Sequence, residues 1–165
     1  MKKTKENTGN MKYKSFVFTI SVIFLLTACN KNRVFHRFTD IPGNKWLSKN
    51  IVHYDVPITD TASSHNVYIL IRNNANYKYS NLYLFVTITS PAGFSVRDTV
   101  ELTLADKKGR WLGKGAADLY TSRHPYKMNI RFPYRGIYTF DIEQALWETE
   151  LKNISGVGLQ IERLQ

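Results

Sequence analysis

The sequence predicts an all-β protein: an antiparallel β-sandwich of about eight strands with one short helix near the C-terminus. Three observations lead there. Apolar residues alternate at period two over most of the chain beyond residue 50, turn-forming Gly, Pro, Asn and Asp clusters recur at short intervals, and a single stretch shows near-helical spacing. A closed barrel is the main competing architecture. An outer-membrane barrel is disfavoured, because the outward positions are Thr, Arg, Glu, Asp and Gln, where lipid would require apolar side chains.

Taken in order, the first element is a leader. Lys2, Lys3, Lys5, Lys12 and Lys14 precede an apolar run from Phe16 to Leu26, the basic-then-apolar order of a secretory signal. At 11 residues the run is too short to be a permanent spanning helix, which needs roughly 20. Either Met1 or Met11 serves as the start. Leu26-Thr27-Ala28-Cys29 then looks like a bacterial lipobox, in which the cysteine thiol takes a diacylglyceryl group before cleavage on its N-terminal side. The only cysteine of the chain stands where that chemistry requires it, which excludes a disulfide framework and a zinc cage of thiolates. The division expected is therefore 1–28 as a lipoprotein signal peptide, 29–49 as a lipidated N-terminal tether and 50–165 as the sandwich. Asn30 follows the cysteine where an aspartate would mark inner-membrane retention, so outer-membrane sorting is expected. No acidic run follows, and a periplasm-facing position is favoured.

The tether contains Val34, Phe35, Phe38, a Pro42-Gly43 turn and Trp46, so it is expected to pack on the domain. Val52, Tyr54, Val56 and Ile58 form one face of a strand, and Val67, Ile69 and Ile71 one face of the next. Leu82, Leu84, Val86 and Ile88 make a third, whose other face holds Tyr83 and Phe85. Pro91-Ala92-Gly93 turns the chain into a partner strand with Val96, Val100, Leu102 and Leu104 inward, a hairpin. After a turn at Asp106 to Gly109 come a short strand at Trp111-Leu112 and a small-residue loop from Gly113 to Ala117. Met128, Ile130 and Phe132 mark a strand ending at Pro133, and Tyr138, Phe140 and Ile142 another. Glu143 to Lys152, with Ala145, Leu146 and Leu151, is the expected helix. Val157, Leu159 and Ile161 give the last strand.

The charge of the whole chain is +10, which raises nucleic acid as a partner. Five lysines and one glutamate of the leader carry four of those ten units, and the remaining +6 is scattered among acids without forming a stripe. Export and scatter together exclude nucleic acid. His36, His53, His65 and His124 show no ligand spacing and no local carboxylate partner, and read as solvated; no metal and no cofactor are expected. There is no G-x-S-x-G elbow, and Gly113-Lys114-Gly115 reads as a turn, not a phosphate loop. Asp98, Glu101, Asp118 and Asp141 could act as paired glycosidase carboxylates only if the fold brought them together. No catalytic residue is assigned.

The distinctive stretch is Arg72-Asn73-Asn74-Ala75-Asn76-Tyr77-Lys78-Tyr79-Ser80-Asn81. One reading is a long hairpin loop, since asparagines supply left-handed turn conformations. The other is a partner surface made of Arg72, Asn73, Asn74, Tyr77, Tyr79, Asn81 and Tyr83, because tyrosine offers apolar area with a polar tip. A glycan-binding module that stacks Trp46, Trp111, Tyr77 or Tyr79 on sugar rings is the alternative function.

With these residues laid out, the chain resembles the gliding-motility lipoprotein GldH family. The similarity lies in Cys29 with Arg33-Val34-Phe35; Ile71-Arg72-Asn73 through Tyr77, Tyr79 and Ser80-Asn81-Leu82-Tyr83-Leu84; Asp98-Thr99 with Glu101; Gly109 with Leu112-Gly113 and Gly115; Gly136 with Tyr138, Phe140 and Ile142; and Ile154 and Gly156-Val157-Gly158 with Ile161-Glu162. The resemblance implies a non-enzymatic envelope lipoprotein needed for surface gliding, in machinery linked to type IX secretion. Its implied partners are the membrane, through lipidated Cys29, and other envelope or gliding-machinery proteins.

Overall fold

The structure is a computed structural model and describes residues 32–164; Cys29 and the leader lie outside them. Eleven strands form three antiparallel sheets: β1 (Arg33–Asp40), β2 (Lys45–Leu47), β3 (Val52–Ile58), β4 (His65–Asn74), β5 (Asn81–Thr89), β6 (Ser95–Thr103), β7 (Lys114–Ala116), β8 (Leu119–Ile130), β9 (Gly136–Gln144), β10 (Glu150–Lys152) and β11 (Ile154–Arg163). A five-stranded sheet runs β1-β11-β4-β8-β7, a four-stranded sheet β3-β9-β5-β6, and β10 and β2 make a two-stranded ribbon.

The alternation in the sequence becomes the inside and outside of these sheets. In β3, Val52, Tyr54, Val56 and Ile58 are buried while His53, Asp55 and Pro57 are exposed. Val67, Ile69 and Ile71 of β4, Leu82, Leu84 and Val86 of β5, Tyr138, Phe140 and Ile142 of β9, and Val157, Leu159 and Ile161 of β11 join one hydrophobic cluster fed by both large sheets. Burial of each such side chain is worth about 1.5–3 kcal/mol. The sheets also meet through specific contacts. Tyr54 of β3 donates its hydroxyl to the Val157 carbonyl of β11 at 2.7 Å, and its ring meets Phe35 of β1 edge to face at 6.0 Å. Trp46 of β2 and Leu151 of β10 close the core at the end where β4 finishes and β5 begins.

Several local expectations are corrected. Among the described residues there is no α-helix: Glu143–Lys152 divides into the end of β9, a bend and β10. The Gln144 side chain accepts from the Leu146 N–H at 2.8 Å and donates to the Glu148 carbonyl at 2.6 Å, so it spans the bend from within. Leu151 is then buried by the pairing of Glu150–Lys152 with Lys45–Leu47. Tertiary pairing outweighs a weak local helical preference. The segment 29–49 packs on the domain as expected where it is described, and it does so as a strand, β1, paired along its length with β11. Lys114–Ala116, read as loop, is the edge strand β7, while Trp111 makes only an isolated bridge to Ala105. Leu119 to Tyr126 belongs to β8, far ahead of the Met128 start read from the sequence, because polar residues dominate both of its faces. Val96 is 58% exposed instead of inward: β6 is the sheet edge, and its first half overhangs the core.

The connection of β4 to β5 is not a hairpin loop. The strands lie in different sheets, and Ala75 to Ser80 carries the chain across the end of the core. The β5–β6 hairpin is present as expected, with the turn closed by Ser90 N–H to Phe94 O at 2.8 Å and Gly93 at φ +84°.

Candidate functional site

The seven residues proposed as one partner surface fall into four separate environments. Arg72 sits on the outer face of the five-stranded sheet, where its guanidinium lies 4.2 Å from the centre of the Phe38 ring and reaches Asp40 at 3.2 Å. Phe38 in turn lies over Gly156 and Gly158 of β11. A Cβ at Gly158 would stand 2.6 Å from the Phe38 ring, 3.0 Å from the Arg37 carbonyl and 3.0 Å from Leu70 Cβ, and one at Gly156 would collide with the same ring. The two glycines therefore form a trough that receives Phe38, and Arg72 closes over it. This clamp fixes the edge strand β1 to its neighbour, a structural role for four of the residues that carried the family resemblance or flanked it.

Gly158→Val is accordingly expected to push β1 off β11. The Arg37 carbonyl is backbone and cannot swing aside as a side chain would, so overpacking of about 1–3 kcal/mol is expected. Hydrogen exchange should show the amides of Arg33–Asp40 losing protection while those of β5 keep theirs. Unchanged protection in β1 would refute the clamp.

Asn73 and Tyr77 are inside the protein, 1% and 5% exposed. Tyr77 donates its hydroxyl to the Asn81 carbonyl at 3.0 Å and packs against Tyr79 and Trp111, and burial pushes its hydroxyl pKa well up. Asn74 receives the turn, accepting the Tyr77 N–H at 3.0 Å. Tyr79 opens onto a cleft of about 440 Å³ that it shares with Lys78, Glu148 and Asn153. Its hydroxyl donates to the Glu148 carboxylate, and Lys78 stands 3.5 Å from the same group. The Tyr79 hydrogen bond first, then Lys78, hold that carboxyl below its ordinary pKa. Asn81 and Tyr83 face outward from the four-stranded sheet, with the Asn81 amide donating to Glu101 at 2.7 Å. Only Tyr83 of the seven is clearly exposed.

The other chemistry named from the sequence is equally dispersed. Asp98 bridges from β6 to β8, bonded to Lys127 at 2.8 Å and Tyr126 at 2.6 Å, and these partners hold its carboxyl low. Glu101 serves Asn81, and Asp141 pairs with His53, so the carboxylates do not converge. His36 and His53 are exposed, as expected, but His53 has the carboxylate partners the sequence reading denies it, and His65 and His124 are not solvated. His53 lies between Asp141 at 2.6 Å and Asp55 at 3.1 Å, and the Asp141 bond holds its pKa above the ordinary value. Asp55, two residues along the same strand face, was a readable signal; Asp141 on β9 was not. His65 is 1% exposed with no hydrogen bond at Nδ1, and His124 is half-buried against Ser122, so burial lowers both.

Trp46 is completely buried and donates its indole N–H to the Asn50 carbonyl at 2.7 Å, so it cannot stack on a sugar. Trp111 is tilted against Tyr77 and Tyr120, part of the core margin. Besides Tyr83, the aromatics that present faces to solvent carry no role in the sequence reading: Phe94, 66% exposed at the β5–β6 turn, Tyr134 beyond β8, and Trp147 in the bend after β9. An aromatic directly after a Pro-Ala-Gly turn was the available signal for Phe94.

Comparison with known proteins places these features. A family model described as GldH lipoprotein matches residues 33–161. The chain is 32% identical over 160 residues to a protein of Flavobacterium johnsoniae named gliding motility lipoprotein GldH, covering 93% of this chain and 99% of that one. It is 33% identical over 158 residues to a gliding motility lipoprotein GldH homolog of Christiangramia forsetii, covering 92% and 96%. A solved structure of infectious bursal disease virus overlaps at a TM-score of 0.20 and 10% identity, covering 81% of this chain and 41% of that one, too slight a likeness to bear on the fold.

Proposed function

Since the chain belongs to the GldH lipoprotein family, we propose that it is a non-enzymatic β-sandwich lipoprotein of the cell envelope that serves gliding motility in machinery linked to type IX secretion. Acyl chains on Cys29 hold it to the outer membrane, facing the periplasm, and its protein part offers contact surfaces to other envelope components. The observation that carries this reading is the extent of the likeness. The family match begins at the first residue of β1 and ends within β11, so it takes in every strand.

The non-enzymatic part of the reading is supported by how the polar groups are used. Asp98, Glu101 and Asp141 are each committed to a different partner on a different part of the surface. The lone histidine with two carboxylates, His53, stands on an open sheet face. What the domain offers is surface. At the end opposite the start of β1, exposed Trp147 and the Lys78–Tyr79–Glu148 cleft provide an aromatic anchor beside paired charges, the composition of contact hot spots. Confinement to a membrane raises the effective concentration of such a surface near its partners, so weak contacts suffice.

Deletion of the gene is expected to abolish surface spreading, or secretion where the host does not glide, with recovery on complementation. Mild cross-linking followed by purification should recover envelope proteins. Normal spreading and secretion in the deletion strain would overturn the proposal.

A further inference from the structure

One end of the domain carries an apolar cleft of about 620 Å³, formed where the β5–β6 turn meets the segment joining β8 to β9. Phe94 from the turn and Tyr134 from the segment stack at 6.1 Å with rings 19° from parallel. Ile88, Val96, Ile130 and Phe132 line the wall. Gly136, at φ +134°, allows the close approach of the two loops, since a Cβ there would meet Pro91 at 2.9 Å. Phe94 is 66%, Val96 58% and Tyr134 41% exposed, an unusual concentration of open apolar surface on one end of a folded domain.

The strand register shows what else lies at this end. Ile130 pairs with His65, His65 with Arg163, and Glu162 with Arg33. The start of β1 is thus at the same end as the cleft, and Asn32 is fixed there by accepting the Arg163 N–H at 2.7 Å. Cys29 is three residues earlier. At about 3.5 Å per extended residue, it can be no more than about 10 Å from Asn32. Strands of nine or ten residues make the domain about 30 Å long, so an anchor at Cys29 brings this end, and not the other, to the bilayer surface.

The charges fit the same neighbour. Asp60 is paired with Arg163 and Asp98 with Lys127, whereas Arg33, Arg131 and Arg135 make no ion pair among the described residues. Exposed aromatics flanked by free arginines are the chemistry of a bilayer interface, where rings settle at headgroup level and guanidinium groups meet phosphate.

We propose that this end is a membrane-contacting face: Phe94 and Tyr134 enter the headgroup layer of the bilayer that holds the protein's own acyl chains, with Arg131 and Arg135 on anionic headgroups. The inference rests on lipidation of Cys29. It gives the domain a fixed orientation, with the cleft end down and Trp147 directed away from the membrane.

The test uses the mature lipidated protein in phosphatidylethanolamine–phosphatidylglycerol vesicles, with acylation read from its intact mass. Because the native thiol is consumed by the lipid, new cysteines at Phe94→Cys, Tyr134→Cys and, at the far end, Leu112→Cys can each carry an environment-sensitive fluorophore. Labels at 94 and 134 are expected to shift to the blue and to be quenched by brominated acyl chains, and the label at 112 to remain in water. Arg131→Glu with Arg135→Glu should weaken quenching on anionic vesicles while leaving circular dichroism unchanged. An acylated protein whose labels at 94 and 134 are as wet as that at 112 overturns this proposal alone. So do labels shielded equally in detergent by a second copy, seen as a dimer in sedimentation, or by an added protein partner. An unacylated mass overturns the anchoring of Cys29, and this proposal with it.

Discussion

Replacing Cys29 by Ser is expected to transfer the protein from the membrane pellet to the soluble fraction almost completely, the largest change any single substitution should make. The driving force that is lost is acyl-chain burial, about 0.8 kcal/mol per methylene, and two chains hold a protein where one is marginal. Nothing in the folded domain can replace it. Phe94, Val96 and Tyr134 present one small apolar patch, and burial of a whole large side chain is worth only about 1.5–3 kcal/mol. They can orient a domain already held at the surface, but they cannot retain it there. Fractionation of the variant, with intact mass of the wild type as the reference, checks this. A Cys29→Ser protein that still pellets with outer membranes would show that the domain has its own strong attachment.

Trp46→Ala should have the largest effect on folding. Trp46 is fully buried in the two-stranded ribbon, and loss of a large aromatic from a core costs about 3–5 kcal/mol. The Asn50 carbonyl also loses the indole donor at 2.7 Å. For a domain of this size that corresponds to a fall of about 10 to 15 °C in melting temperature. The same substitution separates two uses of a tryptophan. A stacking platform for sugar would give an intact fold with lost binding, whereas the buried anchor gives a protein with a lowered melting point measurable by calorimetry. A fall of less than about 1 kcal/mol would mean that the ribbon contributes little to closing the core.

The sheets were legible where burial was one-sided. Val52-Tyr54-Val56-Ile58 and Tyr138-Phe140-Ile142 declare their faces because every second residue must leave water. The edges were not. β7 consists of Lys114, Gly115 and Ala116, with no apolar face to alternate, and the first half of β8 is polar on both faces. Their strand character comes from pairing with β4 and each other, a property of the neighbours. The bend at 145–149 failed for the opposite reason, since Ala145, Leu146 and Leu151 have a spacing that fits a helix until Lys45–Leu47 arrives to pair with Glu150–Lys152.

Site residues divide similarly. A proposal that rests on one residue and its flank, as lipidation of Cys29 does, is open to a reading of the sequence. Chemistry decided by which residues meet is not: Arg72 to Tyr83 is continuous in the chain, yet the fold sends Arg72 to one outer face, Tyr77 to the core and Tyr83 to the other outer face. Conversely Phe94 and Tyr134, forty residues apart, become neighbours only through the meeting of two loops.

The trough under Phe38 means that positions 38, 156 and 158 are not free to drift one at a time. A methyl group at 158 and a ring at 38 claim the same volume, so a lineage can widen β11 there only after position 38 has shrunk, and it then forfeits the surface on which Arg72 rests. β1 is thereby bound to a stretch of β11 where any side chain at 156 or 158 would meet the Phe38 ring. Changes at positions 38, 156 and 158 must be inherited as matched sets.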